Sequence, residues 1–505
     1  MDRPHSPIDS ALAFLREILP WCLPGLLSGT IVRVLLIAHF PYGYVHPDSA
    51  DFLLTADRYL NHHRFVLHGK KAFLGPVLFL LPMIVRLPSL LVVPWAQHLL
   101  GLVCTLMIGA LVRCWTTFWK WWIIPATVLA GINPSALYYE HSLIAESQYL
   151  WCVTALVLAG TAYALAPDRS RFILLLLALL LTAGSRPEGK LYVLFCLVLV
   201  PLVHWAQWRA FALRGSITLA FCALTWLSTR NTEAGMLLYA TVLPLAPEIP
   251  RSAPDFAPVI APLREQRVAR GPFAVPDVVA EERRITAVLF PYLISKYGSD
   301  KSAGNFCQRL AIEAATRHPF YLPFISLEKF LQGTQYPDND GFGTRWLQTV
   351  QLDSCTYKSW MLPLMHRLTG RPIHTAGDVT AYLQEEFTPI QPDWFDAVQR
   401  PWLLATTGAR VPCPGLPGGT PGIPLFYILG AGGVVAGFLR PGPMRKVWIA
   451  WSITLGFVAF VVMLTGPVIP RFRLVFEPFV LLYLILLADT VASLLPIAIP
   501  GATRP

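Results

Sequence analysis

The sequence predicts an all-α polytopic membrane protein, and three observations carry that prediction. Of 505 residues, 54% are hydrophobic and only 14% charged, whereas about a quarter are charged in soluble domains. The mean hydropathy is +0.51. Apolar runs near the roughly 20 residues that cross a hydrocarbon core recur along the chain, separated by short charged turns. A formal charge of +10 would suggest nucleic acid in a soluble domain. Here it is explained by basic residues at helix ends facing anionic lipid, and no nucleic-acid partner is expected.

The first span runs from about Trp21 to Phe40, preceded by Asp2, Arg3, Asp9 and Arg16 with no cleavage site, which predicts an uncleaved anchor. A polar first loop, 41–88, follows. Its Phe73 to Leu87 stretch is apolar but short and interrupted by Pro76 and Pro82, so it is expected to be interfacial or re-entrant. Span two, Ser89 to Val112, ends in the basic, aromatic turn Arg113 to Lys120, which reads as cytoplasmic. Spans three (Trp121 to Tyr138) and four (Ser147 to Ala166) flank an outer loop holding Glu140, His141 and Glu146, and span four closes on Asp168, Arg169 and Arg171 inside.

Spans five and six enclose the outer turn Ser185 to Lys190, and Arg209 and Arg214 follow inside. Span seven, from about Ser216 to Ser228, leads into a long polar segment rich in Pro. This predicts an extracytoplasmic domain between spans seven and eight, with a helix at Asn305 to Arg317 and a Gly/Pro linker at Gly415 to Pro424. Spans eight (Pro424 to Leu439), nine (Val447 to Leu464) and ten (Leu474 to Leu495) complete the chain, with Arg440, Arg445 and Lys446 in an inner turn. Outer loops also hold Arg58, Arg64, Lys70, Lys71, Arg186, Lys190, Arg471 and Arg473, so the positive-inside asymmetry is moderate. Six of nine cysteines lie in apolar runs, where Cys acts as a small hydrophobe. Cys307, Cys355 and Cys413 lie in the polar segment and allow at most one bridge.

This threading brings Asp48, Asp51, Glu146, Arg186, Glu188, Arg471, Arg473 and Glu477 to one membrane face. Carboxylates come from the first two outer loops and arginines from the third and last. An acid or base would thus stand opposite an anion-binding pair, because the planar guanidinium fork suits phosphate. Asp48 and Asp51 have a plainer reading, as caps of an amphipathic helix carrying Phe52, Leu53, Ala56, Tyr59 and Leu60. Lys70 and Lys71 suit either a substrate phosphate or lipid headgroups. Arg33, inside span one, either snorkels to the interface or faces a polar cavity. His62, His63 and His68 read as solvated.

The order of motifs is an Asp in the first outer loop, Asn-Pro-Ser-Ala-Leu-Tyr-Tyr-Glu-His-Ser-Leu-Ile-Ala-Glu-Ser at 133–147, Arg-Pro-Glu-Gly at 186–189 and Pro-Arg-Phe-Arg-Leu-Val-Phe-Glu-Pro-Phe at 470–479. It resembles the GT-C class of integral membrane glycosyltransferases, in the manner of the bacterial family 39 type, relatives of protein mannosyltransferases and aminoarabinose transferases. The resemblance covers about residues 30–240 and 465–490. It implies a GT-C-like fold, a polyprenyl-phosphate sugar donor, inversion at the anomeric carbon and chemistry outside the cytoplasm. By motif position it implies Asp48 as general base, Glu146 as a second-loop acid, and Arg471 and Arg473 at the donor phosphate. Where many relatives have Asp-Glu, this chain has Asp48-Ser49, which leaves a divalent cation open.

The expectation is thus a membrane protein of about ten transmembrane helices, divided into a membrane module at 1–230, an extracytoplasmic domain at 231–422 and a second membrane module at 423–505. Asp48 is the expected catalytic residue, with Asp51, Lys70, Glu146, Arg186, Glu188, Arg471 and Arg473 binding substrate. The expected partners are the lipid-linked donor, membrane lipid and a glycan, lipid or protein acceptor, at a bacterial plasma membrane. The rival expectation is a transporter or flippase of a lipid-linked or anionic substrate, favoured by broken helices and midplane charges in repeated halves. No internal repeat is evident in the sequence.

Overall fold

A computed structural model describes residues 7–39, 89–228, 300–317, 393–412, 422–465 and 473–494, with isolated positions between them. Asp48, Asp51, Lys70, Arg471, Cys355, Cys413, most of the 73–87 stretch and most of the 231–422 segment lie outside the described residues. The described residues are almost entirely helical. The helices are α1 (Pro7–His39), α2 (Ser89–Trp115), α3 (Trp119–Gly131), α4 (Pro134–His141), α5 (Glu146–Leu165), α6 (Arg169–Ser185), α7 (Val193–His204), α8 (Trp208–Ser228), α9 (Asp300–Arg317), α10 (Asp393–Leu403), α11 (Leu425–Leu439), α12 (Met444–Thr465) and α13 (Arg473–Leu494). A two-residue antiparallel bridge pairs Arg410 with Pro424 and Val411 with Ile423 at the start of α11.

Among the described residues, six segments are long and apolar enough to cross a membrane: Ala11–His39, Val92–Trp115, Glu146–Leu165, Pro187–His204, Met444–Leu464 and Leu474–Leu494. The chain is therefore an integral membrane protein of all-α build. The expected third span departs most from the sequence reading. Instead of one helix from Trp121 to Tyr138, the structure has α3 of 13 residues and α4 of 8, broken at Ile132 and Asn133. The cause is local. Pro134 lacks an N–H and crowds the residue before it, pushing Asn133 to ψ 115°. The Asn133 side chain then accepts from Ala136 N at 3.1 Å, so it caps α4.

Close helix crossings are set by glycine. Gly25 and Gly29 form a Gly-x-x-x-Gly face on α1, and a Cβ at Gly25 would lie 2.4 Å from the Thr127 backbone of α3. Likewise a Cβ on Gly433 of α11 would lie 2.0 Å from Tyr483 O of α13. Between these crossings sits an aromatic core. Trp451 of α12 meets Tyr192 at 5.6 Å, Phe195 of α7 at 5.5 Å and Phe479 of α13 at 4.6 Å between ring centroids.

The basic turns gather at one end of the bundle. Asp489, fully buried near the end of α13, accepts from Thr117 N at 2.9 Å, Phe118 N at 2.8 Å, Trp122 Nε1 at 3.0 Å and Arg440 Nη2 at 2.6 Å. Six residues past Arg440, Lys446 donates to Val203 O at 3.4 Å. Arg214 donates to Pro167 O at 2.7 Å. The turns at 113–120, 166–171, 205–214 and 440–446 therefore share a face, and the opposite ends of α5, α6 and α13 share the other. In α9, Cys307 is a buried free thiol, and burial pushes its pKa up to about 12.

Removing the Asp489 carboxylate strips two backbone amides, an indole and a guanidinium of their acceptor. Asp489→Ala is expected to destabilise the fold by roughly 3 kcal/mol, read as a fall in the thermal unfolding midpoint in detergent. Retention of the wild-type midpoint would show that the carboxylate does not hold α13 to the turns at 113–120 and 440–446.

Candidate functional site

The face opposite the basic turns carries a narrow pocket lined by Glu146, Tyr149, Arg186, Glu188, Tyr192, Val458, Val462, Leu474, Val475 and Phe476. Glu146 sits in the first turn of α5, where unpaired N–H groups favour negative charge. Arg186 sits between α6 and the 3₁₀ turn Pro187–Tyr192, with extended backbone at φ −147° and ψ 155°. That turn doubles back tightly. A Cβ on Gly189 would meet Thr182 O at 1.9 Å, so only glycine allows Arg186 and Glu188 to lie against α5.

Arg186 joins the two carboxylates. Its Nη1 donates to Glu146 Oε1, its Nε to Glu188 Oε2 at 3.1 Å and its Nη2 to Glu188 Oε1 at 3.4 Å. The guanidinium also lies 5.7 Å from the centroid of the Tyr149 ring. The structure thus brings together three of the sequence-selected residues, Glu146, Arg186 and Glu188. It pairs them with one another, whereas the sequence reading set Arg186 among arginines that face the carboxylates. Glu146 and Arg186 are 4% and 13% exposed and Glu188 is 22% exposed, so Glu188 is the partner most easily exchanged for a ligand. The aromatic and aliphatic wall from Tyr149, Tyr192, α12 and α13 was not picked out in the sequence, because which face of an apolar helix lines a pocket depends on its neighbours.

Arg473 opens α13 immediately before the lining residues Leu474 to Phe476. Leu74, at the far side of the first loop, accepts from Gln148 Nε2 at 3.4 Å, two residues past Glu146. Glu477, four residues after Arg473 on α13, is fully buried, and Trp402 Nε1 of α10 donates to it at 3.3 Å. Among the described residues no three His, Cys, Asp or Glu side chains form a group that would hold a metal ion.

A second polar centre lies inside the bundle and was largely missed. Glu140 and His141, placed in an outer loop by the sequence reading, are 2% and 0% exposed. Arg33, of α1, makes a two-armed pair with Glu140, Nε to Oε2 at 2.8 Å and Nη2 to Oε1 at 2.7 Å. Its Nη1 donates to Gly29 O at 3.0 Å and to Gly131 O, at the cut end of α3, at 2.6 Å. His98 Nδ1 of α2 lies 2.8 Å from Glu140 Oε2, and His98 Nε2 lies 3.0 Å from His141 Nδ1. Arg33 therefore faces the interior, which decides between the two readings the sequence left open. The available signal was Arg33 and His98, each inside an apolar run, because polar groups at that depth must find partners. Beside this centre is a narrow pocket bounded by Gly101, Asn133, Glu140, Trp402 and Leu481 among others.

No protein-family model and no curated protein matches this chain.

Losing one partner of the Arg33–Glu140 pair leaves the other charged and buried. Arg33→Met is therefore expected to cost about 3–5 kcal/mol. The double variant Arg33→Met with Glu140→Met should be less destabilised than the sum of the singles. Thermal unfolding of the four proteins in detergent measures this, and strictly additive losses would mean that the two side chains do not act as a pair.

Proposed function

We propose that this chain is a membrane glycosyltransferase that moves a sugar from a polyprenyl-phosphate donor to an acceptor at the outer face of a bacterial plasma membrane. One observation carries the reading. At a single end of an apolar bundle, a pocket joins a charged trio, Glu146, Arg186 and Glu188, to an apolar wall from Val458, Val462 and Leu474 to Phe476. Such a pocket suits an amphipathic substrate, with the lipid against the aliphatic wall and the polar head against the trio. The motif order that resembles GT-C transferases supports the same reading. In it, Asp48 takes the proton of the acceptor hydroxyl, the oxygen bonds to the anomeric carbon, and the bond from that carbon to the phosphate oxygen breaks with its electron pair on the phosphate. Arg471 and Arg473 receive that charge, and Lys70, Asp51, Glu146, Arg186 and Glu188 bind the substrate. The acceptor is a glycan, a lipid or a protein.

A second reading has one observation in its favour. The α3–α4 break beside a buried ion pair is the type of discontinuity that transporters use for binding. The sequence has no evident internal repeat of the kind such transporters are built from, so the transferase reading is preferred.

Two experiments test the proposal. Asp48→Asn keeps the size and helix-capping ability of the aspartate but cannot take a proton. It is expected to lower sugar transfer from a polyprenyl-phosphate donor in nanodiscs by about a hundred- to ten-thousand-fold. Wild-type transfer by this variant would reduce Asp48 to a helix cap, and uptake of substrate without transfer would favour the transporter. The sidedness is read with an impermeant thiol label on intact cells, using exposed Gln207→Cys and Gln308→Cys variants over the background of the unsubstituted chain. Position 308 should react and position 207 should not; the reverse pattern would invert the orientation.

A further inference from the structure

Arg214, in the first half of α8, is a cation that no carboxylate meets among the described residues. It is half-buried, and its guanidinium lies 5.7 Å from the centroids of both the Tyr163 and the Phe172 rings, which fix its position. Every hydrogen bond it makes to the described residues leaves from one nitrogen. Nη1 donates to Pro167 O at 2.7 Å and to Tyr163 Oη at 3.1 Å, and it lies 2.9 Å from His204 Nε2. The Nε–Nη2 edge, the one that grips an oxyanion with two parallel bonds, makes none there. In Arg186 the same edge holds the Glu188 carboxylate.

The carboxylate nearest in the chain is already engaged. Asp168 caps α6 by accepting from Arg171 N at 2.8 Å, and its other oxygen pairs with Arg171 Nη1 at 3.2 Å. A second cation stands against the same end of α7. Lys446, in the first turn of α12, donates to Val203 O at 3.4 Å, one residue before His204. That bond uses one of the three ammonium hydrogens. Helix ends attract cations through their last carbonyls, which accounts for the contact to Val203. It does not account for the uncommitted guanidinium edge.

The surroundings say what kind of anion fits. Trp205 and Trp208, at the turn between α7 and α8, are 81% and 73% exposed, which is how indole rings sit where lipid meets water. On α8 itself Leu213 and Ile217 are exposed, a surface that suits acyl chains. The complement to this end of the bundle is therefore a phosphate carried on an apolar body.

We propose that Arg214 and Lys446 form a binding site for the phosphate of an anionic phospholipid. The Nε–Nη2 edge of Arg214 makes the two-armed contact, and Lys446 supplies a point charge. The bound phosphate bridges α8 to α12, at the end of the bundle away from the Arg186 pocket, and it does so whatever reaction that pocket carries.

Native mass spectrometry of the full chain in detergent, titrated with phosphatidylglycerol or with zwitterionic phosphatidylcholine, tests the site. The wild-type protein is expected to retain phosphatidylglycerol in preference. Arg214→Gln and Lys446→Gln should each weaken that binding about tenfold. Arg169→Gln and Arg445→Gln remove exposed charges of the same sign from the same end and should stay within about twofold of wild type. Equal losses in all four variants would reduce the effect to diffuse attraction and overturn the site, as would a wild-type protein without the preference. Lys446→Gln gives up one long contact to a carbonyl, so it decides the question if Arg214→Gln does not fold. Inorganic phosphate that raises the thermal unfolding midpoint as much as phosphatidylglycerol does would make the ligand a free anion and overturn the lipid assignment.

Discussion

The buried pair between Arg33 and Glu140 is the interaction on which the packing of α1 to α4 depends. A helix cut at Asn133 and Pro134 leaves carbonyl groups of α3 without intrahelical partners, and lipid supplies none. Arg33 reaches the Gly131 carbonyl at the cut and the Glu140 carboxylate beyond it, so one side chain holds both sides of the break. That reach needs α1 and α3 in near backbone contact, which the glycines at 25, 29 and 131 provide. Gly101 extends the requirement to α2, since a Cβ there would lie 1.9 Å from Glu140 Oε1. Glycine packing, the proline break and the ion pair are therefore one arrangement, and each would fail without the others.

The same logic separates the two ends of the bundle. Asp489 gathers amides and a guanidinium from two turns, and its partners leave it little freedom. The trio around Arg186 is looser, with a partly exposed Glu188 and a void beside it. A fully satisfied buried charge rigidifies, whereas a partly open one is available to a ligand. This contrast, more than the number of charges at either end, is what marks the Arg186 face as the candidate site.

Much of the architecture was legible. Segments such as Glu146–Leu165 and Leu474–Leu494 are near-continuous apolar runs of bilayer length bounded by charge, and their boundaries fell within a few residues of expectation. Arg-Pro-Glu-Gly at 186–189 was legible as a turn because two charges and a proline cannot remain in lipid. The 133–141 stretch was misread, because Tyr138, Tyr139 and the apolar residues before them continue the hydropathy of α3 and mask the break that Asn-Pro signals. Glu140 and His141 were assigned to a surface loop for the same reason. Hydropathy treats each charge as exposed, and it has no means of knowing that Arg33, more than a hundred residues away, is in reach.

The sequence by itself determined that the chain is helical and membrane-embedded, where its apolar helices run, and that Glu146, Arg186 and Glu188 belong to turns on one side. These follow from composition and from spacing along the chain, which are local quantities. Only the tertiary structure decided which charges are partners. It paired Arg186 with the two carboxylates beside it, buried Glu477 under Trp402, and drew Arg33, His98, Glu140 and His141 into one hydrogen-bonded line. Pairing depends on which helix faces meet and how closely. That is set by glycines, breaks and aromatic packing acting over distances in sequence that no local pattern encodes.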